Sequence, residues 1–225
     1  MGLGTRREAD EMIKSGRLRI NGKIAKPGDR ITEADKITLD GAEIGGIVKT
    51  SGKRHYIAFY KTRGMVCSAN KNQKNNILGI IGHEQYISPI GKLSKESEGL
   101  VLLTDDQRFN AAIGKKIDTS DCEYMVTLNR KVTKDFLNNL SKLKSDRRFR
   151  HMKINVSRLS KVDMTVSLKN AKDTSLLSIF SALGYRVKSI TRIRIGPLRL
   201  HKLKPGKWRN LNHQETNQLT GTFLK

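Results

Sequence analysis

The segment from Gly91 to Asp106 brings a serine hydroxyl, several carboxylates and lysine amines together within sixteen residues. A serine hydroxyl such as that of Ser94 is a weak nucleophile unless a neighbouring base accepts its proton. An aspartate, by contrast, is ionised at neutral pH, because its unperturbed pKa is about 3.9. The motif around Ser94 supplies no base of its own, although His83 and Glu96 lie near it in sequence. Chemistry here therefore requires another group to activate Ser94 or to replace it.

The two cysteines, Cys67 and Cys122, offer little further chemistry. They form no CxxC pair and have no histidine at the spacing of metal ligands. The sequence therefore predicts no zinc site and no disulfide framework, and it is typical of a protein kept in a reducing cytoplasm.

The charge of the chain indicates its partner. A formal net charge of +23 over 225 residues exceeds what solubility requires and implies a polyanion, either nucleic acid or an anionic membrane surface. Residues 1–50 hold 10 Lys/Arg against 8 Asp/Glu, so the excess lies in residues 51–225, which hold 34 against 13. A membrane span needs about 20 consecutive apolar residues, and peripheral binding favours one amphipathic basic helix. Neither pattern occurs, which predicts a nucleic acid partner and no membrane association.

The first 45 residues have the signals of a small independent unit. Residues 5–15 predict a short helix with Thr5 as its N-cap and Gly16 at its end. Two strand-like runs follow, separated by Asn21-Gly22, a strong two-residue hairpin signal. Another short strand is predicted over residues 35–41. We expect a domain over residues 1–45 and a glycine-rich linker over residues 46–53.

Residues 54–225 predict a larger second domain in which strands dominate. Helical spacing occurs twice between the strands, in TKDFLNNLSKLK and in SLLSIFSALGYRV. This mixture predicts an α+β fold with a mostly antiparallel sheet, of which one face can stay open for a ligand. The period-two and buried-strand patterns lie in YIAFYKTRGMVCS, EYMVTLNRKV, KINVSRLSKVDMTVSLK and KSITRIRIGPLRL.

The N-terminal unit resembles the alpha-L RNA-binding domain first known from a small-subunit ribosomal protein. The marks are RREAD at 6–10, GRLRING at 16–22 and KPGD at 26–29. Members of that family usually begin with a further strand-like stretch and part of a first helix, so the resemblance implies either a domain truncated at its N-terminus or an upstream start that this sequence lacks. The alternative is a solvated basic helix in a generic small domain. Basic side chains beside the hairpin can contact phosphates without reading sequence, and the residues expected to do so are Arg6, Arg7, Lys14 and Arg17.

The remainder resembles the bacterial ribosomal-RNA pseudouridine synthases, which isomerise uridine without a cofactor or metal. The resemblance covers nearly the whole chain. Its marks are YIAFYKTRGMVCS at 56–68, SPIGKLSKESEGLVLLTDD at 88–106, EYMV at 123–126, RIGPL at 194–198 and GKWRNL at 206–211. The resemblance implies that the domain binds structured RNA and takes the target base out of the helix.

Two positions depart from this family's pattern. Its essential aspartate stands in a Gly-Arg-Leu-Asp motif, which here reads Gly91-Lys92-Leu93-Ser94. An arginine that pairs with that aspartate is expected shortly before Leu183-Gly184-Tyr185, and its position falls at Ser178. Loss of both partners avoids the unpaired buried charge, worth about 3 to 5 kcal/mol, that loss of one would leave. The resemblance thus implies a degenerate active site.

Other expected features of the site are present. Tyr124 matches the family tyrosine that stacks on the flipped base, with Glu123 before it; the alternative is a half-buried strand aromatic without a ligand. Lys92 keeps the charge of the motif arginine but loses its bidentate fork, so it is expected to bind RNA phosphate with less specificity. Two basic stretches, Lys142 to Lys153 and Arg192 to Lys207, are expected to follow an RNA backbone unless they are ordinary solvated faces. The residues expected to bind RNA there are Arg147, Arg148, Arg192 and Arg194.

Three functional hypotheses follow from the sequence. The first is an inactive, monomeric, cytoplasmic relative of the synthases that binds ribosomal RNA or a ribosomal precursor as a binding or assembly factor. The second is an active synthase that uses a displaced carboxylate, Glu96, Glu98 or Asp105, or an activated Ser94. The third is a general RNA chaperone without a defined pocket.

Overall fold

The structure is a computed structural model, and its described residues form two compact units. It describes residues 6–32, 34–44, 54–70, 73–83, 87–117, 120–133, 135–143, 146–158 and 160–223. One unit comprises the described residues up to 54, and the second contains the described chain from His55 onward. In that part of the chain, no helix has the length and apolar character needed to cross a membrane.

The first unit pairs one helix with a small antiparallel sheet. Helix α1 (Arg6–Lys14) precedes strands β1 (Leu18–Ile20), β2 (Lys23–Ile24), β3 (Ile37–Leu39) and β4 (Ala42–Glu43), in the order β2-β1-β3-β4. The predicted hairpin is confirmed, because β1 and β2 pair across Asn21-Gly22. Both turn residues have positive φ, 50° and 81°, as a type I′ turn requires. The predicted N-cap Thr5 and the predicted linker residues 46–53 lie outside the described residues.

The second unit is built on a nine-stranded sheet with the path β13-β5-β7-β11-β8-β10-β9; β6 pairs with β7 and β12 with β11. All described pairings in this sheet are antiparallel except that of β7 with β11. The mostly antiparallel α+β fold is therefore confirmed. The elements in chain order are β5 (Tyr56–Lys61), α2 (Ile77–Ile81), β6 (Ser88–Ile90), β7 (Glu98–Thr104), α3 (Gln107–Ile117), β8 (Cys122–Leu128), α4 (Asp135–Leu143), β9 (Lys153–Arg158), β10 (Asp163–Lys169), α5 (Thr174–Ala182), β11 (Val187–Ile195), β12 (Leu198–Arg199), β13 (Trp208–Asn210) and α6 (His213–Phe223).

The core of this unit follows from the apolar spacing of its elements. Strand β7 is buried at six successive positions after Glu98, as expected of a central strand covered on both faces. Both predicted helices are confirmed as α4 and α5, and they bury apolar side chains at helical spacing. Phe136 of α4 stacks on Phe180 of α5 at a centroid distance of 6.0 Å and meets the edge of Tyr185 at 5.4 Å. These contacts hold the two helices on the sheet.

Gly99 on β7 lies where three strands meet. It pairs with Lys61 of β5 on one side and with Arg192 of β11 on the other. Its φ is +106°, and a Cβ atom there would lie 2.3 Å from the carbonyl oxygen of Arg192. A glycine is required here because the neighbouring backbone occupies the place of a side chain.

We expect Gly99→Ala to lower the free energy of unfolding by about 3 kcal/mol or more, because left-handed strain and backbone overlap add. Gly206→Ala is the matched control, since Gly206 also has positive φ but has open space around a built Cβ; its cost should stay near 1 to 2 kcal/mol. Urea unfolding followed by fluorescence of the single tryptophan, Trp208, measures both. Equal losses in the two variants would contradict the close approach at Gly99.

Candidate functional site

The loop of residues 91–97, here called the motif loop, joins β6 to β7. Leu93 anchors it in the core, while Ser94 is half-buried. The Ser94 hydroxyl donates to Ser97 Oγ at 3.0 Å and accepts from the Ser97 N–H at 3.3 Å. Ser94 is thus engaged in a local serine turn, and neither of these partners is a general base.

A buried lysine holds the same loop from β5. Lys61 is fully buried, and its Nζ donates to the carbonyl oxygens of Ser97 at 2.5 Å, Thr62 at 3.2 Å and Lys95 at 3.4 Å. Burial lowers the pKa of the Lys61 amine to about 8, although the neighbouring Cys67 opposes the shift. Lys61 therefore fixes the loop backbone by direct contact. The sequence does not indicate this role of Lys61, because a lysine at the end of an apolar strand gives no signal of burial.

Asp173 reaches the motif loop from the other side. It occupies the N-cap position of α5 and is 5 % exposed, yet its side chain makes no capping hydrogen bond. Instead its Oδ2 accepts the backbone N–H of Ser94 at 3.1 Å. A carboxylate therefore stands beside residue 94, but it is delivered by α5 rather than by the loop.

Arg192, on β11, lines a cavity together with Asp173. It is 2 % exposed, its Nε donates to Leu100 O at 2.8 Å and its Nη1 to Lys92 O at 3.1 Å. Among the atoms that the structure describes, its Nη2 has no hydrogen-bond partner. Burial disfavours the charged guanidinium, but the nearby Tyr124, Cys122 and Asp173 outweigh it and raise the pKa of Arg192. The site thus contains a permanent buried positive charge.

Asp173 and Arg192 both line a small cavity of about 30 Å³. Tyr124, on β8, is 2 % exposed and forms part of the wall. Burial raises the pKa of its hydroxyl, and the adjacent Arg192 guanidinium opposes that rise. This volume is on the order of a few water molecules and is smaller than a nucleobase. Its lining residues are Lys92, Ile117, Tyr124, Ala171, Lys172, Asp173 and Arg192.

The predicted displaced carboxylates are each bound elsewhere, and none of them lines this cavity. Glu96 is exposed and forms an ion pair with Arg63 at 3.0 Å. The Glu98 carboxylate accepts a hydrogen bond from the Thr191 hydroxyl at 2.9 Å. Asp105 binds the imidazole of His55 at 2.7 Å.

The other two positions expected near the site lie apart from Ser94. His83, the second candidate base, places its ring 5.0 Å from the ring of His55 and 5.6 Å from that of Trp208. Ser178 lies on the exposed face of α5. The contact from α5 to the motif loop comes from Asp173, five residues earlier.

The predicted RNA-binding residues of the first unit are partly described. The side chains of Arg6 and Arg7 lie outside the described residues. Lys14 is exposed in the last turn of α1. Arg17 is half-exposed and forms an ion pair with Asp40. Arg17 therefore carries a guanidinium whose charge is already balanced within the unit.

The basic residues predicted to bind RNA in the second unit occupy different environments. Lys92 and Arg147 are exposed, and Arg148 is exposed but paired with Asp146 at 2.8 Å. The expected surface position of Arg192 is corrected, because its side chain is buried and turned towards the cavity. Arg194 is only 12 % exposed in its side chain.

Acidic residues surround Arg194. Asp121 and Glu123 each pair with it at 2.9 Å. A register shift in the pairing of β8 with β11 separates Arg192 from Arg194. Regular alternation along β11 predicts that Arg192 and Arg194 point to the same face of the sheet, so the sequence suggests a single basic surface. The register shift breaks this alternation.

Comparison with known protein families assigns both units. Residues 1–37 match the S4 domain, and residues 55–184 match the RNA pseudouridylate synthase family. A dual-specificity RNA pseudouridine synthase, RluF, from Escherichia coli K12 is 28% identical over 214 residues, which span 95% of this chain and 73% of that protein. The ribosomal small subunit pseudouridine synthase A of Vibrio vulnificus is 27% identical over 224 residues, 96% and 94% of the two chains.

A solved structure supports the same fold. The crystal structure of a pseudouridylate synthase superimposes with a TM-score of 0.63 at 24% identity, covering 96% of this chain and 94% of the other. The expected small N-terminal domain and the mixed α/β domain that follows it are thereby confirmed. Since the family model covers more than half of the sequence, this chain belongs to the RNA pseudouridylate synthase family and carries an S4 domain at its N-terminus.

Proposed function

We propose that this chain is an RNA-binding member of its family that no longer isomerises uridine and acts on ribosomal RNA, or on a ribosomal precursor, as a binding or assembly factor. The observation that carries the proposal is Ser94. At the position where the resemblance implies the essential aspartate, its hydroxyl forms hydrogen bonds with Ser97, and the neighbouring Asp173 carboxylate accepts the Ser94 backbone N–H instead of the hydroxyl. A serine in this environment supplies neither an ionised nucleophile nor a proton acceptor.

The RNA partner is supported by family and by charge. The family acts on RNA, and the S4 domain is an RNA-binding module. Residues 51–225 hold 34 Lys/Arg against 13 Asp/Glu, which suits a polyanion. Relatives named for large- and small-subunit ribosomal pseudouridine synthases support ribosomal RNA as the target.

One observation favours a second candidate, an active synthase. The carboxylate of Asp173 lines the cavity together with Tyr124 and Arg192. It could take the part of the missing aspartate if the cavity opened around a flipped base. Against it stands its hydrogen bond to the Ser94 N–H, which keeps the carboxylate directed at the loop backbone.

Incubation with ribosomal RNA transcripts, followed by nucleotide-resolution mapping of pseudouridine, separates the two candidates. We expect no site-specific product from the natural chain. Product that disappears in Asp173→Asn would establish an active synthase that uses Asp173, and product that persists in that variant would refute the inactive function and indicate that another residue is catalytic. As a scaffold control, we also assay Ser94→Asp with and without Ser178→Arg, which restores the expected motif residues.

RNA binding should depend most on exposed basic side chains that do not form ion pairs within the protein. Arg147 and Arg148 are neighbours, but only Arg148 is already neutralised by Asp146. We expect Arg147→Ala to weaken binding and to reduce the slope of log K against log salt by about one, because one phosphate contact is lost. Arg148→Ala is the matched control and should change the slope less. Measuring affinity for a ribosomal RNA fragment between low and high salt tests this, and the reverse order of effects would contradict it.

Crosslinking at nucleotide resolution distinguishes a defined site from a general chaperone. A footprint confined to one structured element supports a single binding site. A diffuse footprint across the ribosomal RNA would contradict the proposal and favour the chaperone hypothesis.

A further inference from the structure

We propose that Asp173 is a positioning residue that replaces a carboxylate on the motif loop: it holds the loop at Ser94 and supplies the negative charge beside the buried guanidinium of Arg192. The cavity therefore accommodates one carboxylate, which α5 provides. A carboxylate on residue 94 and one on residue 173 are alternatives for the same place.

The first support is the direction of the Asp173 side chain. An aspartate at an N-cap normally accepts an N–H from the first turn of its own helix, which stabilises the helix. Asp173 makes no such bond, although it occupies the N-cap position of α5. Its Oδ2 binds the N–H of Ser94 instead, across 79 residues of sequence. The Asp173 side chain thus stabilises the motif loop and does not cap α5.

The second support is the charge around this carboxylate. Arg192 and Lys61 are both almost completely buried near the loop, and Lys92 and Lys172 join Asp173 in the cavity wall. Buried cations need a nearby anion. Asp173 is the carboxylate among the residues that line the cavity, and it favours the charged forms of both Lys61 and Arg192. Its removal leaves two buried cations without that compensation.

The third support is the contact itself. The Ser94 hydroxyl is bound to Ser97, but the backbone N–H of the same residue binds the Asp173 carboxylate, so an aspartate introduced at residue 94 brings a second carboxylate into the immediate neighbourhood of Asp173. Two carboxylates at such a distance repel, and one of them resists ionisation. Restoring an aspartate at residue 94 alone should therefore destabilise the site, whereas restoring it while removing the charge of Asp173 should not.

A double-mutant cycle tests this inference on the full chain. The variants are Asp173→Asn, Ser94→Asp and the two combined, and the measurement is the unfolding equilibrium constant from urea titrations at neutral pH. Asp173→Asn should raise that constant about 100-fold, because it removes the negative charge that binds the Ser94 N–H and shares the cavity with the buried Arg192 guanidinium. Ser94→Asp alone should raise the unfolding equilibrium constant about 10-fold. The two carboxylates on residues 94 and 173 repel each other, and protonation of one of them relieves part of that repulsion. The combined variant should return to within about 10-fold of the natural chain, since it again contains one carboxylate.

Two controls separate charge from shape. Asp163 hydrogen bonds the hydroxyls of Thr127 and Ser160, so Asp163→Asn removes a carboxylate that has no buried cation beside it and should have a small effect. Ser94→Asn combined with Asp173→Asn has the shape of the rescuing variant without its charge. It should fail to recover stability. A purely structural role for Asp173 would make the aspartate and asparagine rescues equal.

Every outcome decides the inference. Additive effects of the two single substitutions, a neutral Asp173→Asn, or equal rescue by aspartate and asparagine at residue 94 would overturn it. If Asp173→Asn is too unstable to purify, recovery of folded protein in the combined Ser94→Asp variant supports the inference, and failure to recover it overturns it. The cycle measures stability alone, so its failure leaves the absence of uridine isomerisation standing, and the reverse also holds.

Discussion

The buried guanidinium of Arg192 is the constraint around which the candidate site is organised. A buried charge requires acceptors for its N–H groups and an anion nearby, because burial removes most of its hydration. Carbonyl oxygens of Leu100 and Lys92 accept from its Nε and Nη1, and Asp173 provides a carboxylate in the same cavity. The strand that carries Arg192 also runs so close to β7 that only a glycine fits at residue 99. Sheet pairing, loop position and charge balance are therefore coupled in one place.

Under the proposed function, this coupling explains how the chain loses the reactive group of its family and keeps the surrounding architecture. A loop without its own carboxylate would leave the guanidinium uncompensated and the Ser94 N–H without an acceptor. A carboxylate from α5 meets both needs. Lys61 fixes the same loop through backbone carbonyls, which does not depend on the side chain at residue 94. The scaffold around the motif thus persists for physical reasons separate from catalysis, and RNA binding draws on the strongly basic chain as a whole.

Local signals in the sequence were sufficient for much of the fold. The Asn21-Gly22 turn and the apolar spacing of α4 and α5 each follow from short stretches of chain, and all three were predicted. The absence of a carboxylate at residue 94 is likewise visible in the sequence. Asp173 was not recognised as part of the site, because a carboxylate before a helix normally suggests a cap. Only the tertiary contact shows that it faces another segment.

Arg192 shows a different limit of sequence reading. A basic residue on a strand with alternating polarity suggests a surface that faces RNA, and neighbouring Arg194 strengthens that impression. The register shift between the two residues breaks the alternation, and burial of β11 within the sheet turns Arg192 inwards. Bulges and central sheet positions depend on pairing partners far along the chain, so a single sequence contains no local sign of them.

The central claim is that this chain keeps RNA binding without uridine isomerisation, and the most direct measurement compares pseudouridine in the ribosomal RNA of cells with and without the gene. Mapping at nucleotide resolution, combined with crosslinking of the protein in the parent cells, locates both modification and binding. If the chain binds RNA without isomerising uridine, the crosslinks lie at one localised site and the set of pseudouridines is the same with and without the gene. Loss of a pseudouridine when the gene is removed, and its return only with a chain that retains Asp173, would contradict it.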